Sequence, residues 1–390
     1  MHPKAIRQIL KALLQILALA LPVLAPRAGD VLTAVVTDAR AETSHPATWK
    51  EYLAARAAFD AEVSAYWTSI AEKRRGRNAK RRQHQPIALD DYVLNQPPVY
   101  TGPKRPPGPS PEPPPQTKPR QYKAIPVVAD LVQAASQDFQ WTPQQPANDL
   151  EFKRAYAHFA SAAGLTREQA VRVYAFETGG NGTHASQSGF HGSHPISSAI
   201  GYNQLLTTNT VELLAEQGEE LVKELKERAA SLTGAARQAM EHKIAVLKKM
   251  VALAASVPDD WSQHEKIGDT PQGWALHAMV LDIDVGPMLQ THKLLTSVIF
   301  AREKGYTRPL TAAELEMMNL TGDGTGLDMV TMPQAMREQV PTSNFFQRRG
   351  YERNPVAIRH NTVAKLLAVT DQRMDSNSNL LGAKELAAAF

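Results

Sequence analysis

The amino-acid sequence predicts a mainly α-helical protein, and three observations carry that expectation. Apolar residues recur at helical spacing in segment after segment, as with Phe152, Ala155, Tyr156 and Phe159. Thr166 with Gln169, and Thr311 with Glu314, have the spacing of capping boxes, in which hydroxyl and N3 side chain satisfy orphan amides reciprocally. Eleven of the 27 prolines fall between Pro97 and Pro119, which confines core-forming sequence to either side.

The chain has 390 residues, a formal net charge of +4 and no cysteine. The charge suits an anionic polymer but is too small to argue for nucleic acid. Without cysteine there is neither a disulfide nor a thiolate metal site.

Taken in order, the N-terminus reads as a signal peptide over residues 1–41. Lys4, Arg7 and Lys11 precede the apolar run Ala12–Ala25, and Ala39-Arg40-Ala41 has the small-x-small form of a cleavage site. An uncleaved membrane anchor and an ordinary amphipathic helix are the other open readings; either export reading places the remainder in the periplasm or outside the cell. Residues 42–96 hold one helix, with Trp49, Leu53, Ala57, Phe59, Val63, Tyr66, Trp67 and Ile70 at helical spacing. The basic run at 73–83 follows it. This run reads as a solvated segment, with a grip on anionic polymer or lipid as its alternative. Residues 97–122 are expected to be an extended proline-rich linker outside any fold.

A larger helical domain is expected over 123–375, with 376–390 as a loosely ordered tail. At its centre lies a helix that the Thr166 box begins and Thr178-Gly179-Gly180 ends. Ala170, Val173, Tyr174 and Glu177 share one face of it. A carboxylate at the end of an apolar stripe, beside the negative end of the helix dipole, should have a raised pKa, which suits a general acid. A solvent-exposed helix-terminal carboxylate is the plainer alternative. A long Gly/Ser/His loop follows, and Gly201-Tyr202-Asn203-Gln204-Leu205-Leu206 enters the next helix.

This arrangement resembles the lytic transglycosylases and goose-type lysozymes. Glu177-Thr178 stands where those enzymes have Glu-Ser. Ala199 to Leu206 stands for their Ala-x-Gly-Leu-Met-Gln-Leu-Met, with Tyr202 and Asn203 departing from it. The resemblance covers roughly residues 150–335. It implies a lysozyme-like helical catalytic domain, here with an inserted hairpin at about 211–256. Two amphipathic helices parted by Gly234 make that hairpin, and a partner-docking arm for envelope proteins is its other reading.

The resemblance further implies an exported enzyme acting on peptidoglycan glycan strands without metal or organic cofactor. Glu177 would protonate the oxygen between N-acetylmuramic acid and N-acetylglucosamine, then deprotonate the muramic C6 hydroxyl to give a 1,6-anhydro product. Thr178, Gly201, Tyr202, Gln204 and Asn319 would bind substrate. Asn319 ends the helix TAAELEMMNL where the family has Ala-Tyr-Asn-Ala-Gly-Pro; Met318 occupies the Tyr position, and Tyr202 or Tyr351 is left to replace it. A non-catalytic peptidoglycan-binding protein and an envelope scaffold are the competing readings.

Two other motifs are weaker. His184, His191 and His194 share the long loop without the helical i, i+4 pair of a metalloprotease. Asp323-Gly324-Thr325-Gly326-Leu327-Asp328 lacks the alternating acids of a calcium loop. The most apolar stretch after the leader, Trp274 to Phe300, should form core helices broken at Gly286-Pro287.

Overall fold

A computed structural model describes residues 48–108, 123–192 and 194–390. The signal-peptide and cleavage-site expectations therefore lie outside the described residues, as does the linker from 109 to 122. Two units are distinguished, the second beginning at Lys123. Both are helical.

In the N-terminal unit, α1 spans Trp49–Arg82 and starts at a capping box in which Glu51 reaches back to the Thr48 amide at 2.8 Å. It continues through the basic run that was expected to be solvated. Arg77 is buried, lies 4.4 Å from the Tyr92 ring and donates to the Asp91 carbonyl at 3.0 Å. Lys80 pairs with Asp91 at 2.7 Å. A returning segment thus covers this face of the helix, which lone periodicity could not reveal. The start of the proline-rich stretch also differs from a free spacer. Tyr100 packs edge-on against Phe59 at 5.3 Å, and Arg105 lies over Trp49. Prolines forbid a ladder there, but aromatic side chains between them can still dock.

The second unit holds the remaining helices. These are α2 (Val128–Phe139), α3 (Asp149–Ala162), α4 (Arg167–Thr178), α5 (Thr207–Ala230), α6 (Gly234–Ala254), α7 (Trp261–Gly268), α8 (Pro271–His277) and α9 (Gly286–Glu303). There follow α10 (Ala312–Thr321), α11 (Asp323–Thr331), α12 (Gln334–Arg337), α13 (Arg348–Glu352), α14 (Pro355–Arg359), α15 (Val363–Ser378) and α16 (Leu381–Ala389). Among the described residues, β1 (Phe190–His191) and β2 (His194–Pro195) form one short antiparallel pair within the long loop. No helix among them is long and apolar enough to cross a membrane.

Two apolar clusters organise this unit. The first joins α2, α5, α6, α8 and the start of α9, through residues such as Leu131, Leu214, Leu247, Leu276 and Leu289. The second joins α3, α4, α10, α15, α16 and the rest of α9, through Phe152, Tyr174, Leu294, Leu315 and Leu386. α9 runs through both, with Pro287 in its first turn as the break at Gly286-Pro287 predicted. The α5–α6 hairpin contributes to the first cluster, and its Lys243 is buried against Asp282 and Asp284. It is part of the core of this unit. The tail expectation is corrected too: residues 376–390 finish α15 and form α16, which packs on α3 and α4 with Ala383 and Leu386 fully buried. The short apolar pattern there was too brief to read as a docked helix.

Candidate functional site

The site forms where the end of α4 meets α10. Both helices begin at the capping boxes read from the sequence. Thr166 and Gln169 exchange bonds of 3.0 and 3.1 Å, and Thr311 and Glu314 exchange bonds of 3.1 and 3.2 Å. Gln169 also donates to the Leu310 carbonyl at 2.8 Å, which ties the start of α4 to the approach to α10.

Along α4, Ala170, Val173 and Tyr174 are fully buried, and Glu177 is 6% exposed. The predicted face is therefore the packed one, with the carboxyl inside it. Gly179, at φ 65°, ends the helix in the left-handed conformation. The C-terminal helices clamp this end: Asn377 Nδ2 donates to the Ala175 carbonyl at 3.0 Å, and the Ala383 amide to the Gly180 carbonyl at 2.9 Å.

Asn319 arrives from α10. Its Nδ2 donates to Glu177 Oε1 at 2.9 Å and lies 3.4 Å from Glu316 Oε2. Burial, the largest effect, raises the Glu177 pKa to about 7. Lys293 of α9, then hydrogen bonds to Glu316 and Asn319, act in the opposite direction. Glu316 is fully buried, and its pKa is pushed well above the usual carboxyl value by burial first and by Glu177 next. Burial in turn lowers the pKa of Lys293, against the pull of Glu212, Asp323, Glu177 and Glu316.

Of the residues expected to bind substrate, the structure brings Asn319 to Glu177 and puts the others to different use. The Thr178 hydroxyl bonds back to the Tyr174 carbonyl at 2.7 Å. Tyr202 is fully buried, its ring edge-on to Tyr174, Phe152 and Tyr156 at 4.8, 5.2 and 5.5 Å. Gln204 turns inward and donates to the Gly201 and Ser186 carbonyls at 2.7 and 3.1 Å. Gly201 sits at φ 83°, and a Cβ there would fall 1.9 Å from Gln290 Nε2. Asn203 is held by Gln290, whose side-chain oxygen accepts its amide at 2.8 Å. The Gly-Tyr-Asn-Gln segment thus buttresses α4 from behind, because the aromatic cluster buries the very residue expected to reach a sugar. Tyr351 packs against Phe346.

No family model, curated protein or solved structure matches this chain.

Two residues of the site escaped the sequence reading. Glu316 was visible inside TAAELEMMNL, three positions before Asn319 and so on the same face. Lys293 gave no local signal, being one lysine in an apolar helix. Among the described residues no group of three His, Cys, Asp or Glu is placed to hold a metal ion. His184 accompanies Asp149, with its amide donating at 2.8 Å, and stacks on Phe152. A carboxyl that keeps its proton near neutral pH, fixed by a side-chain amide, is equipped to protonate a leaving oxygen.

Proposed function

We propose that the chain is a lytic transglycosylase-like enzyme that cleaves the glycan of peptidoglycan, with Glu177 as its acid. The observation that carries this reading is the Glu177–Asn319 hydrogen bond of 2.9 Å. It joins the two positions that the resemblance to that family assigns to the acid and its asparagine. Burial supplies the second requirement, a carboxyl whose pKa is raised to about 7 so that it still carries its proton in part at neutral pH.

In this mechanism Glu177 gives its proton to the glycosidic oxygen as the bond to C1 breaks. The Glu177 carboxylate then takes the proton of the muramic C6 hydroxyl as that oxygen closes on C1. One carboxyl serves both steps, and Asn319 keeps Oε1 aimed while the charge appears. Export to the periplasm belongs to the same proposal, since the substrate lies there.

Met318, buried where the family has its tyrosine, favours a second reading, a protein that holds glycan without cutting it. Incubating purified sacculi with the full chain, followed by mass spectrometry of the released material, separates the two. Anhydro-muropeptides support the proposal, and Glu177→Gln should reduce them by about a hundred- to ten-thousand-fold. Bound but uncut sacculi would establish the binding protein instead.

A further inference from the structure

Glu316 has no part in the mechanism just given, yet it is the most deeply buried acid beside it. It lies one turn before Asn319 on α10 and is fully buried. Its carboxyl and that of Glu177 act on each other's protonation. Asn319 spans both, touching Glu177 Oε1 and Glu316 Oε2. The other two oxygens, Glu177 Oε2 and Glu316 Oε1, are buried with no donor facing them.

Two ionised carboxylates cannot share such a place, because each raises the energy of the other and neither is solvated. The charge of Lys293 on α9 acts on both acids, and Glu212 of α5 and Asp323 of α11 act on it in turn. On the packed helix α15, Asp371 and Asp375 pair with Arg172, Arg373 lies over the Phe176 ring, and Lys365 is exposed. At least one proton must therefore remain between the two acids. The deeper acid is the one to keep it.

We infer that Glu316 is a positioning residue that stays a neutral carboxylic acid throughout the reaction. Its O–H donates to Glu177 and, with Asn319, stabilises the carboxylate formed when Glu177 gives up its proton. This inference rests on the proposed function for its use, though not for its test. The balance is simple. The Glu177 O–H bond breaks and its proton goes to the glycosidic oxygen. The C6 hydroxyl proton later restores it, and the Glu316 O–H bond is never broken. The electrostatics agree in direction: the contact raises the pKa of Glu316 and lowers that of Glu177.

Infrared difference titration of the full chain tests this, with Glu177 assigned by Glu177→Gln. One pH unit above the Glu177 midpoint, a protonated carboxyl band should persist and should vanish in Glu316→Gln. The Glu177 midpoint should move by less than about half a unit in Glu316→Gln, because the amide N–H donates as the acid did, and rise by about one unit in Glu316→Leu. On sacculi, Glu316→Gln should stay within about tenfold of the parent while Glu316→Leu loses about a hundredfold. A fall of one unit or more in Glu316→Gln, or no persisting band, would overturn the inference by showing an ionised Glu316. If Glu316→Leu does not fold, the parent and Glu316→Gln spectra decide alone. Spectra as expected on a protein that cuts nothing would remove the proposed function and leave the proton assignment standing.

Discussion

Two of the places where the second unit buries acids treat them differently. At the turn into α9, Asp282 is fully buried, and its oxygens accept from Lys243 Nζ, the amides of Asp284 and Val285, and the Gln144 amide at 2.9 to 3.1 Å. Asp284 beside it accepts from Arg228 at 2.7 Å and from Lys243. Where α4 meets α10, Glu177 and Glu316 have one asparagine amide, one shared cation and each other. The first cluster surrounds its charge with donors, which is how a buried ion pair serves architecture. The second leaves carboxyl oxygens without donors, so protonation is the way to satisfy them. Burial raises the pKa of Asp282 as well, but Lys243 and the Gln144 amide oppose it there. What separates the two clusters is the supply of donors, and not depth.

The sharpest way to break this comparison is to remove Lys243. Lys243→Met should destabilise the unit by about 3–5 kcal/mol, since it leaves the buried Asp282 without its cation and Asp284 with Arg228 alone. Urea unfolding at pH 7 measures it, and an unchanged midpoint would mean that the Asp282–Asp284 cluster is no better satisfied than the Glu177 pair.

A smaller effect, opposite in character, is expected at Glu177. Its folded pKa lies above that of an unfolded glutamate, so its contribution to stability is complete at low pH and is lost as pH rises through about 7. Glu177→Gln cannot ionise. Relative to the parent, the variant should therefore gain up to roughly 3 kcal/mol between pH 4 and pH 8. Thermal unfolding across that range reads the difference, and parallel curves would show that burial does not disfavour the ionised form.

The buttress behind α4 can be probed at Gly201. Gly201→Ala puts a Cβ at φ 83° and against Gln290, for an expected loss on the order of 1–3 kcal/mol. If stability falls and the Glu177 titration midpoint moves with it, the segment positions the acid through Tyr202 and Tyr174. Smallest is the cap: Thr166→Ala should cost about 1 kcal/mol and leave that midpoint in place.

Much of the site's first half was legible because it is local. The Thr166 box, the buried stripe through Ala170, Val173 and Tyr174, and the Gly179 stop depend on neighbours within a few residues along the chain. The capped start of α10 is legible for the same reason. The basic run on α1 misled because its environment comes from Asp91 and Tyr92, which periodicity within the helix does not register. Tyr202 misled in a similar way. An aromatic beside Gly201 reads equally well as a sugar contact or as core, and three distant rings make it core.

By itself, then, the sequence determined where α4 begins and ends, where α10 begins, and that Glu177 closes an apolar stripe, because caps and periodicity act over one or two turns. The tertiary structure alone decided that Asn319, 142 positions away, would bond to that carboxyl. It also decided that Glu316 would share the site and that the charge of Lys293 would act on both acids. Those contacts come from packing α4, α9 and α10 around one core, and the same burial that removes water from the two acids raises their pKa values.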